Sequence, residues 1–274
     1  MESNPEFRII YYNVADSTNR LTRQLAEQKK PEGFIVVVDR QTAGKGRGEK
    51  NWFSVPGKSL TFSILLRPKK KLAEQCPQLA LILGLSLAKT IENMGFNPYL
   101  KWPNDVFLNG KKIAGILLEN SVRANHLQWV VAGVGVNLNI KKVDFPLQLQ
   151  EVATSLFIEG RREIDSEIFL QEFLSNFSFW YGCWLDNREM QRLLDEYTKR
   201  SMILGCTVTY EKQGRRCQGQ AEKIDENGGL WIIDKGERYR LTWGEVSIVT
   251  NGKSQTQSSH SLGEEGMWLP LIHI

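Results

Sequence analysis

Apolar and polar positions along this chain change period from segment to segment, and the changes mark out its elements. Arg8 to Tyr12 reads as a lead strand. Asp16-Ser17-Thr18-Asn19 then supplies helix N-cap residue types, and Leu21 and Leu25 give the buried face of a short helix that Pro31-Glu32-Gly33 stops. Phe34 to Asp39 and Leu60 to Arg67 are strand-like runs on either side of a glycine-rich loop. Leu79, Leu83, Leu87 and Ile91 recur at every fourth residue between Pro77 and Met94, which predicts a helix that Gly95 ends. Asn109-Gly110 between two apolar runs predicts a hairpin with Lys112 just past its turn. Trp129 to Asn139 is a further strand, in which Gly133 and Gly135 allow close backbone approach. A connection over Val143 to Ser155 follows. Phe169, Phe173, Phe177, Trp180 and Trp184 then fall on one face of a helix, an aromatic stripe that belongs in a core, and a second helix runs from about Met190 to Lys199. From Gly205 the pattern becomes short strands at Val208–Tyr210, Cys217–Ile224, Leu230–Asp234, Tyr239–Thr242 and Val246–Val249, which predicts a small barrel. After Asn251 the chain is rich in Ser, Gln and Gly and reads as a flexible tail, although its last residues, Met267 to Ile274, are apolar.

The loop between the second and third strands carries the first chemical signal. Gln41-Thr42-Ala43-Gly44-Lys45-Gly46-Arg47-Gly48-Glu49-Lys50-Asn51-Trp52 combines permissive backbone with Lys45, Arg47 and Lys50, as expected around a phosphate-bearing ligand. The dinucleotide fingerprint is excluded, because it needs glycine where Glu49 stands and a helix next. Gly57-Lys58-Ser59 imitates the end of a P-loop, but Trp52 stands at the position of that motif's first glycine. A solvated basic hairpin loop is the other reading of this stretch.

Composition narrows the chemistry further. With 274 residues, 41% hydrophobic and 24% charged, this is an ordinary globular chain, long enough for one large domain and a small one. A net charge of +4 is too weak to imply nucleic acid by itself. Cys76, Cys183, Cys206 and Cys217 form no Cys-x-x-Cys pair and read as reduced thiols, no N-terminal apolar h-region precedes Phe7, and the longest apolar run, from Leu79, is too short and interrupted to span a bilayer. The expected location is the cytoplasm. Of three histidines, His260 and His273 lie in the tail and His126 precedes a strand, which disfavours a Ser-His-Asp triad or a histidine metal site. What remains is a set of cations and amides, Lys45, Arg47, Lys101, Lys112, Gln41 and Asn104, with one acid, Asp105. Such a set can hold a carboxylate beside a triphosphate and neutralise charge during in-line attack. Asp105 could hold Mg²⁺, help deprotonate an amine, or simply be a turn residue after Pro103-Asn104. Lys112 could equally be a solvated hairpin lysine, and Ser17-Thr18-Asn19 a helix cap and no more.

Taken together, these motifs resemble the biotin protein ligases, specifically the class I biotin–[acetyl-CoA-carboxylase] ligases that lack an N-terminal DNA-binding domain. The match runs from Asp16 to about Val249 in the family's order. Ser17-Thr18-Asn19 matches the biotin-pocket segment, Gln41 the glutamine before the glycine loop, and Gly44-Lys45-Gly46-Arg47 the loop itself, with Trp52-Phe53-Ser54 as its sequel. Lys101-Trp102-Pro103-Asn104-Asp105 is the most specific signature, followed by Lys112-Ile113-Ala114-Gly115 and by Gly133-Val134-Gly135-Val136-Asn137. Gly244-Glu245-Val246-Ser247 resembles the end of the family's SH3-like C-terminal domain.

The resemblance implies an α+β fold, with a mixed-sheet biotin/lipoate ligase-like catalytic domain over 1–202, an SH3-like β-barrel over 203–250 and a tail over 251–274. It implies that biotin and MgATP form biotinyl-5′-AMP, which then passes to a lysine of a biotin carboxyl carrier domain in a biotin-dependent carboxylase. Lys112, Arg47 and Asp105 would be catalytic, with Arg47 holding the adenylate and Asp105 a candidate for Mg²⁺. Ser17, Thr18, Asn19, Gln41, Gly44, Lys45, Gly46, Arg47, Trp52, Lys101, Asn104, Lys112, Gly115, Gly133 and Asn137 would line the substrate sites. No DNA or membrane partner is expected, and many family members dimerise. Two departures from the family pattern stand out. Lys45 replaces the usual arginine, and Gly48-Glu49 replaces Arg-Gly, which bears on how tightly the loop closes. A lipoate or octanoate ligase of the same superfamily is the nearest alternative, although the tryptophan–proline form of the 101–105 motif favours biotin. An RNA-binding protein using the Arg-Gly loop and barrel is a third, which the modest charge disfavours.

Overall fold

The computed structural model describes residues 5–48, 50–68, 70–242 and 244–249. Glu49 and the tail over 251–274, for which the sequence raised expectations, lie outside the described residues. The lead strand β1 spans Arg8–Ala15, longer than its apolar start implied, because it runs parallel to β2 (Phe34–Gln41) along its whole length. Between them lies α1 (Thr18–Glu27), with Ser17 at its N-cap position but making no side-chain cap bond. Its buried residues are Thr18, Asn19, Thr22 and Ala26, so the face marked by Leu21 and Leu25 is a correction: those leucines are only half-buried.

β3 (Ser59–Leu66) pairs antiparallel with β2 and with β7 (His126–Asn137). β4 (Tyr99–Lys101), β5 (Asp105–Leu108) and β6 (Lys111–Arg123) complete a seven-stranded mixed sheet in the order β1-β2-β3-β7-β6-β5-β4. Asn109 and Gly110 both take positive φ, +49° and +77°, the geometry expected of an Asn-Gly hairpin turn between β5 and β6. β3 is buried on both faces, and its alternation shows why. Phe62 faces the helical layer, 5.2 Å ring to ring from Phe173, whereas Ser63 faces α1 and bonds to Thr18 and Asn19.

That helical layer consists of α2 (Cys76–Asn93), α4 (Ser166–Leu185) and α5 (Met190–Thr198), with the single-turn α3 (Leu156–Gly160) leading in. α2 is buried nearly all round because it lies between the sheet and α4, and the aromatic stripe of α4 is core, as its spacing implied: Phe169, Phe173 and Phe177 are fully buried. None of the helices among the described residues is long and apolar enough to cross a membrane.

The C-terminal strands β8 (Thr207–Lys212), β9 (Arg215–Ile224), β10 (Leu230–Asp234), β11 (Glu237–Leu241) and β12 (Val246–Ile248) form an antiparallel sheet in the order β11-β10-β9-β8-β12. Its buried residues, among them Val208, Ala221, Leu230 and Val246, join one continuous apolar cluster with the larger domain. Two polar ties reinforce the seam. Trp102 Nε1 donates to the Gly228 carbonyl at 2.9 Å, and Gln78 Nε2 donates to the Glu226 carbonyl at 2.6 Å.

Candidate active site

The site lies on the α1 face of the sheet, and the sheet register explains its floor. Ser63, Gly133 and Leu117 stand opposite one another on β3, β7 and β6, and one step along the same face come Thr61, Gly135 and Gly115. The missing side chains are what admits the site. A Cβ on Gly133 would lie 2.0 Å from Asn19 Oδ1, and one on Gly135 would lie 2.3 Å from Trp52 Cε2. Asn19 and the Trp52 indole therefore lie directly on backbone. Trp52 Nε1 is buried and finds no hydrogen-bond partner among the described residues.

One end of the cleft is neutral and tightly bonded. Gln41 Oε1 accepts from the Thr18 backbone N–H at 2.9 Å, and Asn19 Nδ2 donates to Glu119 Oε2 at 2.9 Å. Ser17, Thr18, Asn19 and Ser63 are all buried, and the side chains of Thr18, Asn19 and Ser63 bond to one another within the protein. Ser17-Thr18-Asn19 is thus far more than a cap.

The other end is cationic. The glycine loop folds back on itself, with Gly46 N–H donating to the Lys50 carbonyl at 2.8 Å and Trp52 N–H to the Gly44 carbonyl at 2.9 Å. Arg47 at its tip spreads its fork, Nη1 to Asn104 Oδ1 at 2.8 Å and Nη2 to the Gly244 carbonyl at 2.7 Å. Lys50 pairs with Glu245, so the C-terminal sheet contributes its Gly244–Ser247 segment to the rim. Asn104 is itself held, donating Nδ2 to the Ile116 carbonyl at 2.7 Å. Lys112 pairs with Asp105 at 2.8 Å, is 17% exposed, and lies 5.6 Å from the Trp52 ring centroid. The solvated-lysine reading fails, because the side chain turns inward over the glycine floor. Burial pushes the Lys101 ammonium below the ordinary lysine value, Asp105 opposing the shift and Lys112 adding to it.

Most of the residues singled out from sequence come together here: Ser17, Thr18, Asn19, Gln41, Lys45, Gly46, Arg47, Trp52, Lys101, Asn104, Asp105, Lys112, Gly115 and Gly133 all line one cleft. Two do not. Asn137 is buried beyond it, donating Nδ2 to the Thr154 carbonyl at 3.0 Å, and so ties β7 to the following loop. Gly44 is buried behind the cleft, where a Cβ would come within 2.7 Å of the Trp52 carbonyl, so its part is to let the loop close on itself. Sequence reasoning missed Ser63 and Glu119. Each had a signal: Ser63 continues the polar alternation of Ser59 and Thr61 through an apolar strand, and Glu119 is an acid two and four residues beyond Leu117 and Gly115 on one strand face.

A resident magnesium ion does not fit the donor set around Asp105. Its Oδ1 is already 2.8 Å from Lys112 Nζ, and no three His, Cys, Asp or Glu side chains cluster among the described residues. The expectation that Asp105 holds Mg²⁺ gains no support from this geometry.

A pocket with a neutral, hydrogen-bonding end and a cationic, glycine-looped end, joined over a floor of bare backbone, defines a class of protein that brings a small acid to a phosphate ester. Residues 11–137 match the model of the biotin/lipoate A/B protein ligase family. The chain is 33% identical over 227 residues to the bifunctional ligase/repressor BirA of Bacillus subtilis, a match covering 82% of this chain and 69% of that protein. It is 29% identical over 237 residues to the biotin–[acetyl-CoA-carboxylase] ligase of Paracoccus denitrificans, covering 84% and 96% respectively. Its fold superposes on the biotin protein ligase of Aquifex aeolicus solved with biotin and ATP, with a TM-score of 0.75, 28% identity, and 89% and 99% of the two chains covered. The chain belongs to the biotin/lipoate A/B protein ligase family, and the Paracoccus and Aquifex relatives are named as biotin ligases.

Proposed function

We propose that this chain activates biotin with ATP as biotinyl-5′-AMP and transfers the biotinyl group to a lysine of a biotin carboxyl carrier domain. The observation that carries the reading is the single cleft in which Lys112 and Arg47 face the buried Thr18–Gln41 end across the Gly115–Gly135 floor. In the first step a biotin carboxylate oxygen bonds to the α-phosphorus of ATP and the bond to the bridging oxygen breaks, releasing pyrophosphate. Two anions must meet for this, and Lys112, Lys101 and Arg47 supply fixed positive charge where they do. Asp105 holds the Lys112 ammonium in place through their 2.8 Å pair. In the second step the carrier amine attacks the acyl carbon, AMP departs with the bonding electrons, and Asp105 is the carboxylate at hand to take the amine proton. Arg47, bridging to Asn104 and the Gly244 carbonyl, closes over the adenylate and keeps water from the mixed anhydride.

We take residues 1–202 as the catalytic domain and the five-stranded sheet of 203–250 as an SH3-like domain whose 244–247 segment completes the rim. Magnesium enters only as the counter-ion of ATP. Substrates of this kind place the protein in the cytoplasm. The test is the intact mass of a carrier domain after incubation with the protein, ATP and either biotin or lipoate. A mass gain with biotin alone is expected, and a gain with lipoate alone would overturn the reading. Lys112→Ala should fold normally yet release no pyrophosphate from ATP and biotin, and near-normal release would remove Lys112 from its assigned role.

A further inference from the structure

Glu119 lies on β6, outside the cleft lining, yet it ends an unbroken chain of hydrogen bonds that leads into the cleft. Its Oε2 is 2.9 Å from Asn19 Nδ2, Asn19 Oδ1 is 2.6 Å from Ser63 Oγ, and Ser63 Oγ is 2.7 Å from Thr18 Oγ1. Asn19, Ser63 and Thr18 are 3%, 0% and 5% exposed, so the chain runs through the interior until it reaches the cleft wall. The chain has a direction. A carboxylate can only accept, so the Asn19 amide must turn its NH₂ toward Glu119, where the Leu117 carbonyl, 3.5 Å away, also faces it. The Asn19 carbonyl then faces Ser63 and can only accept. Ser63 has one proton and gives it to that carbonyl, so its oxygen is left to accept from the Thr18 hydroxyl. The other neighbour of the Thr18 hydroxyl, Gln41 Oε1 at 3.4 Å, is already bound to the Thr18 backbone N–H and is also an acceptor. At 3.4 Å it competes only weakly, so the Thr18 proton is held by Ser63 at 2.7 Å and the lone pairs of Thr18 are left for the ligand.

We propose that Glu119, acting through Asn19 and Ser63, fixes Thr18 as a hydrogen-bond acceptor in the cleft, so that the site selects a ligand offering an N–H at that point. The inference rests on the biotin reading above, since the ureido ring carries biotin's only N–H groups. Glu119 is a positioning residue, not a catalytic one. Gly133 is part of the device, because a Cβ there would strike Asn19 Oδ1 at 2.0 Å.

Glutamine at 119 has the same shape but can donate as well as accept. It lets the Asn19 amide turn over, so that Asn19 donates to Ser63, Ser63 donates to Thr18, and the Thr18 proton is released toward the ligand. The experiment measures equilibrium binding of biotin and of its two carbamate isosteres, each with one ureido N–H replaced by ring oxygen, to the full chain and to Glu119→Gln. For the isostere that sets oxygen against Thr18, the affinity ratio relative to biotin should narrow about tenfold in Glu119→Gln, roughly the worth of one hydrogen bond. The ratio for the other isostere should not move. Ser63→Ala, which removes the acceptor of the Thr18 proton, should give the same narrowing, and in a Thr18→Val background Glu119→Gln should change neither ratio. Equal weakening of all three ligands, or a narrowing that persists without the Thr18 oxygen, overturns the relay while leaving the ligase reading intact. Failure of the unsubstituted protein to bind biotin overturns the ligase reading, and the relay with it.

Discussion

Trp102→Phe tests whether the motif around residues 101–105 serves the seam between the two sheets as well as the active site. Trp102 is 1% exposed, and its Nε1 donates at 2.9 Å to the carbonyl of Gly228, itself a buried residue in the turn between β9 and β10. Phenylalanine keeps most of the ring but removes the donor, and the carbonyl has no water to turn to. An orphaned buried acceptor costs about 1–3 kcal/mol. The lost part of the indole leaves a small void, worth roughly another 1 kcal/mol. The expected destabilisation is therefore about 2–4 kcal/mol, large against a typical total stability of about 5–15 kcal/mol. Urea unfolding gives that sum. Hydrogen exchange followed by mass spectrometry locates it, because the turn holds itself through Gly228 N–H to the Asp225 carbonyl at 2.9 Å and Asp225 N–H to the Gly229 carbonyl at 2.8 Å. Peptides covering 225–230 should lose protection before the central strands do. A midpoint shift worth less than about 0.5 kcal/mol, the usual scatter of an innocuous substitution, with that turn as protected as before, would refute the reasoning.

Two further outcomes follow from charged contacts. Arg47→Gly removes both arms of the bridge to Asn104 and the Gly244 carbonyl, so adenylate retention should weaken by about 1.5–3 kcal/mol and an added albumin should become biotinylated on a streptavidin blot; equal labelling by both proteins, at equal adenylate formation, would release Arg47 from the part of clamp. Hydrogen bonds from Lys199 and then Lys89 hold the Glu196 carboxyl near a pKa of about 2, below its ordinary 4.5, so its stabilising effect is complete above about pH 4.5 and disappears as pH falls toward 2. Thermal melts of the unsubstituted chain and Glu196→Gln should accordingly converge over that interval, and a gap that stays constant down to pH 2 would contradict the assignment.

What the sequence could reveal depended on how local each cause is. The Asn109-Gly110 turn and the aromatic face of α4 are decided by neighbours a few residues away, and both are where their spacing placed them. The glycine loop was legible as a cationic loop with permissive backbone, but not the fact that Arg47 reaches Gly244, 197 residues on. α1 misled because a short amphipathic helix is expected to bury its leucines, whereas this one buries Thr18, Asn19 and Thr22 against the polar face of the sheet. Asn137 belonged to a recognisable motif, yet its amide is used for a backbone bond to Thr154. The role of Glu119 was hidden for the reason that hid Arg47's reach, since its partner Asn19 lies 100 positions earlier.

The floor of bare backbone has a bearing on how such a protein can change over generations. Along β7, two kinds of constraint alternate at single-residue spacing. Ala132, Val134 and Val136 belong to the apolar cluster, where one hydrophobic side chain can be exchanged for another of similar volume. Gly133 and Gly135 have no such neighbours to trade with: a single methyl group would collide with Asn19 at one and with the Trp52 indole at the other. A lineage drifting toward a new ligand can therefore reshape the helical side of this strand in small steps. On the ligand side the order of changes is fixed, because the side chain above must shrink before the glycine below can gain a methyl group.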